Sequence, residues 1–269
     1  MALPADGHVH SQWSWDAPGG DMARTCARAV ALGLPAVAFT EHVDLTPWTL
    51  LDDAGRETGE LLGPPLDIAG YRAAIDECRD RFPTLRILSG VELSEPHWHA
   101  EELRTMLASG FDRVLGSVHS RRSGPARYLE IRDAYRERPA AEVVCDYLAE
   151  AARMLDSNAD FEVIAHLDYA LRYWPAHAGP CEIGAFEPEF RETLRALRSS
   201  GRVLEINTRM AFHAELLDWW RAADGRAVTF GSDAHHPGAL ARQFRAAAEM
   251  AAAHGFRAGP DLVSPWTRE

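Results

Sequence analysis

Short apolar runs alternate with helical patterns along the whole chain. Six runs are nearly continuous in apolar residues: AVAFTEH (36–42), LRILSGVEL (85–93), FDRVLGSVH (111–119), FEVIAHL (161–167), RVLEINT (202–208) and AVTFGSD (227–233). Strands buried on both faces of a parallel sheet read this way. With the opening GHVH stretch they make seven. Between them lie MARTCARAVAL, IAGYRAAIDECRDRF, AEELRTMLA, AAEVVCDYLAEAARML, FRETLRALRS and an alanine-rich stretch over 239–253. In the fourth of these, Val144, Tyr147, Leu148, Ala151 and Leu155 recur at three- and four-residue steps, which marks one buried helix face. Gly33, Gly110, Gly201 and Gly255 each follow a helical run, where glycine takes the left-handed conformation at no steric cost. Pro139 stands where a helix begins, a place that loses nothing by lacking an N–H.

Regular alternation of strand and helix predicts a parallel sheet with helices outside it. Irregular stretches at 44–66, 120–138 and 172–186 interrupt the rhythm, and loops that long in a compact domain are more often functional than idle. With no internal repeat, low-complexity tract or linker, residues 1–269 read as a single domain.

Lys+Arg total 28 against Asp+Glu 40, a net charge of −12, so long nucleic acid and anionic membranes are poor partners. The cysteines (Cys26, Cys78, Cys145, Cys181) form no C-x-x-C and read as reduced thiols of a cytosolic protein. The N-terminus carries no basic segment leading into an apolar run, and no apolar run reaches the roughly 18 residues of a membrane span. A cytoplasmic protein is expected.

The chemistry lies at the ends of the predicted strands. His8 and His10 end the first, His42 the second, Glu92 the third, His119 the fourth, His166 the fifth, and Asp233 with His235 the seventh; Asp16 follows on the first loop. The sixth, EINT, offers no obvious ligand. A lone histidine at a strand end is usually a hydrogen-bonded core residue, and a lone carboxylate there is usually a helix cap or solvated. Here the donor recurs at the same end of strand after strand, and in a parallel α/β barrel those ends meet at one mouth. Imidazole and carboxylate together suit zinc, manganese or iron, and so many donors fit a cluster of two or three ions. His97, His99, His177, His213, His236 and His254 fall outside this pattern.

The motifs DGHVH, FTEH, GVELS, GSVH, AHLD and GSDAH, in that order, resemble those of the PHP (polymerase and histidinol phosphatase) superfamily. The resemblance implies a distorted (β/α)7 TIM-like barrel holding two or three divalent ions. It implies His8, His10, Glu92 and Asp233 on one ion, Glu92 bridging to a second held by His119 and His166, and Asp16, His42 and His235 on a third. HLDYALRYW and LEINTR resemble the stand-alone histidinol-phosphate phosphatases of that superfamily, which implies L-histidinol phosphate as substrate.

A phosphomonoester hydrolase needs a nucleophile, here a water shared between metal ions and acidified by them. Arg172 and Arg209 are the candidate phosphate clamps, since arginine grips phosphate with two parallel hydrogen bonds. Asp233 or His235 is the candidate proton donor to the leaving oxygen. Trp13, Trp15, Trp48, Trp98 and Trp174 fall on rim loops and could cover a small organic group; Glu41 and Glu95 either meet a cationic substrate or support the ligands from behind. Two further readings stand beside this one: a phosphoesterase for nucleotides or short oligonucleotides, and a non-catalytic barrel that keeps the fold.

Overall fold

The computed structural model describes residues 3–269. Strand β1 (Asp6–Val9) leads through helix α1 (Met22–Leu32) to β2 (Ala36–Val43). A hairpin of β3 (Trp48–Leu51) and β4 (Glu57–Leu61) precedes α2 (Ile68–Arg81) and β5 (Arg86–Ser94). Helix α3 (Ala100–Leu107) returns the chain to β6 (Arg113–Ser117). A second hairpin, β7 (Ser120–Gly124) with β8 (Arg127–Glu130), and one helical turn, α4 (Ile131–Ala134), lead into α5 (Ala140–Leu155) and the short β9 (Val163–Ile164). The chain then runs through α6 (Glu187–Ser200), β10 (Val203–Asn207), α7 (Ala214–Ala222), β11 (Ala227–Gly231) and α8 (Phe244–Ala253) to β12 (Trp266–Thr267).

The main sheet has the order β1-β2-β5-β6-β9-β10-β11-β12. All pairings from β1 to β11 are parallel. The sheet curls until its first and seventh strands meet through a bridge between Val9 and Ala234. His10 N donates to Ala234 O and Asp233 N to His8 O, each at 2.9 Å, so the closure lies at the carboxyl ends of the strands. At its other end β11 pairs antiparallel with β12, through Val228 and Trp266. This is the distorted seven-stranded α/β barrel expected above.

The helices form where their sequences demand. Asp21 caps α1 by accepting from Arg24 N at 2.9 Å, and Gly33 ends it with φ 70°. Helix α5 buries Val143, Val144, Tyr147, Leu148, Ala151, Met154 and Leu155, the stripe read from its periodicity. Each such leucine or valine contributes roughly 1.5–3 kcal/mol by leaving water. Pro139 sits one position earlier than a first helical residue, with ψ 137°, and acts as the N-cap.

Three expectations need correction. The stretches 44–66 and 120–138 are not irregular, since each holds a two-stranded hairpin. The strand over 161–167 shrinks to Val163–Ile164, because His166 has φ 27° and its N–H turns to Glu205 Oε2 at 2.8 Å instead of continuing the ladder. The strand over 111–119 ends at Ser117, where Glu95 Oε1 draws the amides of His119 (2.6 Å) and Ser120 (2.7 Å) away from the sheet.

Candidate metal centre

Glu92 is the hub of the site. It lies on β5 beside His42 of β2 in register, with five histidine side chains converging on it. Its Oε2 faces His8 Nε2 at 3.2 Å and His10 Nε2 and His42 Nδ1 at 3.4 Å each. Its Oε1 faces His166 Nε2 at 2.7 Å and His119 Nε2 at 3.4 Å. Asp233 Oδ1 stands 3.6 Å from His10 Nε2 and 4.0 Å from His8 Nε2. Asp16 Oδ2 lies 3.0 Å from His235 Nε2 and 3.4 Å from His42 Nε2. All nine residues proposed from the sequence as metal ligands therefore meet at one mouth. Triads with donor atoms mutually within 4.8 Å include His8–His10–Glu92, Glu92–His119–His166 and His10–His42–His235.

The protons on three of these rings are fixed from behind. Glu205 Oε1 is 2.8 Å from His8 Nδ1, and a carboxylate only accepts, so Nδ1 carries the hydrogen. Ser14 Oγ donates to Glu41 Oε2 at 2.6 Å, so at 3.0 Å it accepts from His10 Nδ1. Ser94 Oγ donates to Asp44 Oδ1, so at 2.7 Å it accepts from His119 Nδ1. Each neutral ring then points an Nε2 lone pair at the carboxylate of Glu92. Lone pairs facing carboxylate oxygens at 3.2–3.4 Å repel unless a cation or a proton lies between them. Asp16 Oδ1 and His42 Nδ1, buried with no hydrogen-bond partner, also fit a cation-binding site. This His/Glu cluster has the donor chemistry of a divalent metal site.

Electrostatics follows the geometry. Burial alone would raise Glu92, but His8, His119, His42 and His166 outweigh it and hold the carboxyl well below its usual range. Burial would likewise raise Asp233, against which Arg172, His8, Arg209 and His166 keep it ionised. Burial lowers His166 to about 4. The backbone is strained where donors are aimed: His166 has φ 27° and Asp233 φ 52°, positions that non-glycine residues rarely occupy.

Both candidate arginines are here, and both are held by Asp233. Arg172 Nη1 donates to Asp233 Oδ2 at 2.7 Å and its Nη2 to Asn207 Oδ1 at 2.9 Å, while its Nε has no partner. Arg209 Nη1 donates to Asp233 Oδ1 at 3.0 Å, with its side chain 45% exposed. Together with Trp15, Trp48, Tyr169 and Tyr173 the cluster lines one cavity at the mouth.

Other residues lie elsewhere. His97 bonds Glu150 (2.6 Å) and His99 bonds Thr46 (2.9 Å), His254 bonds the Met250 carbonyl, and His177, His213 and His236 sit at turns or helix starts. Trp13 packs on Gly70, Trp98 under Arg122 and Trp174 against Phe186, so they are packing residues. Glu41 is fully buried against Ser11 and Ser14, and Glu95 against His119 and Ser120; they support loops from behind instead of meeting a substrate.

Two functional residues escaped the sequence reading. Glu205, on the strand thought to lack a ligand, reaches His8 and the His166 amide. Asp44 lies two residues past His42, on the loop. The alternation in LEIN does carry a signal for the first: Glu205 and Asn207 share the barrel-facing side, joined by a 3.0 Å hydrogen bond.

Comparison with known proteins agrees with this geometry. Residues 6–209 match the family model described as the PHP domain. The Lactococcus lactis histidinol-phosphatase is 27% identical over 86% of this chain and 83% of its own length. A probable histidinol-phosphatase of Clostridium acetobutylicum is also 27% identical, over 91% and 92%. The crystal structure of the Lactococcus lactis histidinol phosphate phosphatase, complexed with zinc, L-histidinol and phosphate, superposes with a TM-score of 0.79 at 24% identity, covering 95% of each chain. The putative histidinol phosphatase of Listeria monocytogenes shares the fold with a TM-score of 0.75 at 14% identity, covering 90% of this chain and 99% of its own. With its barrel, its convergent strand ends and its match over most of its length, the chain belongs to the PHP domain family.

Proposed function

We propose that this chain is a metal-dependent phosphomonoester hydrolase whose substrate is L-histidinol phosphate, a reaction of histidine biosynthesis carried out in the cytoplasm. The observation that carries the reading is the pinned tautomer of His8, His10 and His119, whose lone pairs converge on Glu92. The relatives named histidinol-phosphatase support the substrate. His8, His10, Asp233 and Glu92 would hold one ion, His119, His166 and Glu92 a second, and Asp16, His42 and His235 a third.

Divalent zinc, manganese or iron ions bound there would supply hydroxide from water near neutral pH and positive charge toward the phosphoryl oxygens. The chain's own residues do the rest. Arg172 and Arg209 orient the phosphoryl group from positions fixed by Asp233. Asp233, held ionised, starts as a proton acceptor. In this reading it takes the proton of the attacking water and returns it to the leaving oxygen.

A panel of histidinol phosphate, nucleoside monophosphates and nucleoside bisphosphates tests the assignment. Histidinol phosphate is expected to give the highest kcat/KM. A preference for nucleotides would replace the assignment with the nucleotide reading, and no turnover of any ester would favour the non-catalytic barrel.

A further inference from the structure

Two indoles form the wall of the cavity beyond the metal-type ligands, and neither has a hydrogen-bond donor left for a substrate. Trp15 Nε1 donates inward to Asp44 Oδ2 at 2.6 Å. Trp48 Nε1 donates inward to Ser120 Oγ at 2.8 Å, and that hydroxyl donates in turn to the buried Glu95 at 3.0 Å. The rings meet edge to face, with centroids 5.8 Å apart and planes at 63°. Gly63 seats Trp15 so closely that a Cβ there would come 2.7 Å from its Cδ1 and Nε1. The indoles are thus locked in place at the mouth, and they offer a bound molecule only π surface.

From this we infer that Trp15 and Trp48 are specificity-determining residues that hold the organic part of the ester by cation–π and stacking contact, and that they select a small cationic or aromatic leaving group. The inference rests on the histidinol phosphate reading, since that alcohol carries an ammonium and an imidazole ring. The negative face of an indole attracts a cation at close range. Asp44, which accepts from Trp15 Nε1, adds negative charge behind that ring. Arg172 and Arg209 supply the opposite charge to the phosphate end. A dipolar substrate would therefore have one orientation in the cavity, with its phosphate at the arginines and its cation at the indoles. A purely anionic leaving group would meet the wrong sign of field there.

The test uses the metal-loaded protein with Trp48→Leu, Trp48→Phe and Trp15→Leu. Steady-state kinetics with histidinol phosphate and with propyl phosphate, which is neutral beyond its phosphate, is paired with calorimetric titration of L-histidinol in the presence of phosphate. The leucine variants are expected to lose at least tenfold more kcat/KM on histidinol phosphate than on propyl phosphate. The loss should appear in KM, with L-histidinol affinity falling in parallel, and Trp48→Phe should restore most of both. Equal losses on the two esters, or unchanged L-histidinol affinity, would overturn the inference. If the wild-type protein itself shows no preference for histidinol phosphate over propyl phosphate, the substrate reading fails instead, and the two failures are distinguishable.

Discussion

Glu205 Oε1 lies 2.8 Å from His8 Nδ1, while on the other side of the ring Glu92 Oε2 lies 3.2 Å from Nε2. One imidazole is clamped between two buried carboxylates, and their roles differ. Glu205 fixes the proton on Nδ1, and its other oxygen accepts from the His166 amide at 2.8 Å. It therefore controls two rings that contact Glu92.

Glu205→Gln removes the charge and keeps the shape. An amide can present its NH2 to His8 and invert the tautomer. Divalent-metal affinity is expected to fall about 10- to 100-fold, as losses of such supporting partners do elsewhere. Competition with a chromogenic chelator measures it. Wild-type affinity in the variant would remove Glu205 from the account.

The space for Glu205 is kept by a missing side chain. A Cβ on Gly231 would come 2.0 Å from Glu205 Oε1 and 2.6 Å from His8 Cβ. Gly231→Ala is expected to cost roughly 1–3 kcal/mol by overpacking, read as a lowered urea midpoint, and to weaken metal binding together with it. A variant as stable as the wild type and fully metal-loaded would contradict the tight approach.

The two arginines should not be equivalent. Arg172 is buried and bonds both Asp233 and Asn207, whereas Arg209 is nearly half exposed. Arg172→Ala is expected to lower kcat/KM by about 10²-fold or more, the scale seen when a preorganised donor is removed. Arg209→Ala should lower it less, about tenfold, because water can take the place of a solvent-facing charge. The reverse order would contradict the assigned roles.

Metal loading should expel protons. Burial opposes charge on His42, yet Asp44, Glu92 and Asp16 outweigh it and push the ring to about 10. Against burial, Glu205 and Glu92 raise His8, and Glu92 raises His119. A ring raised to about 10 keeps its proton below that value, so His42 of the metal-free cluster is protonated at pH 7. Ligation needs the neutral ring, so zinc must displace protons and bind more tightly as pH rises. Calorimetry of zinc binding in two buffers of different ionisation heat is expected to show release of about one proton or more. Zero release at pH 7 would contradict the raised rings.

Much of this was legible in the sequence, for a physical reason. Parallel strands deliver their carboxyl ends to one rim, so His8, His42, Glu92, His119 and Asp233 could be placed together from strand assignments alone. The supporting residues were harder to see. Asp44 and Ser94 matter because a serine hydroxyl links a carboxylate to His119 Nδ1 across two strands, a contact no local pattern encodes. Glu205 resembled a mid-strand residue without a task, because its partner lies 197 residues away. The hairpins in 44–66 and 120–138 were missed because their exposed strands, such as ETGEL, lack the apolar alternation that marks a half-buried strand.

The central claim is that ions held around Glu92 carry out phosphate-ester hydrolysis. It is tested most directly by phosphate release from histidinol phosphate, measured on the same protein as isolated, after chelator stripping, and after reloading with zinc or manganese. Stripping should abolish turnover while the far-ultraviolet circular dichroism persists, and reloading should restore it. Undiminished hydrolysis by protein shown to be free of metal would contradict the account.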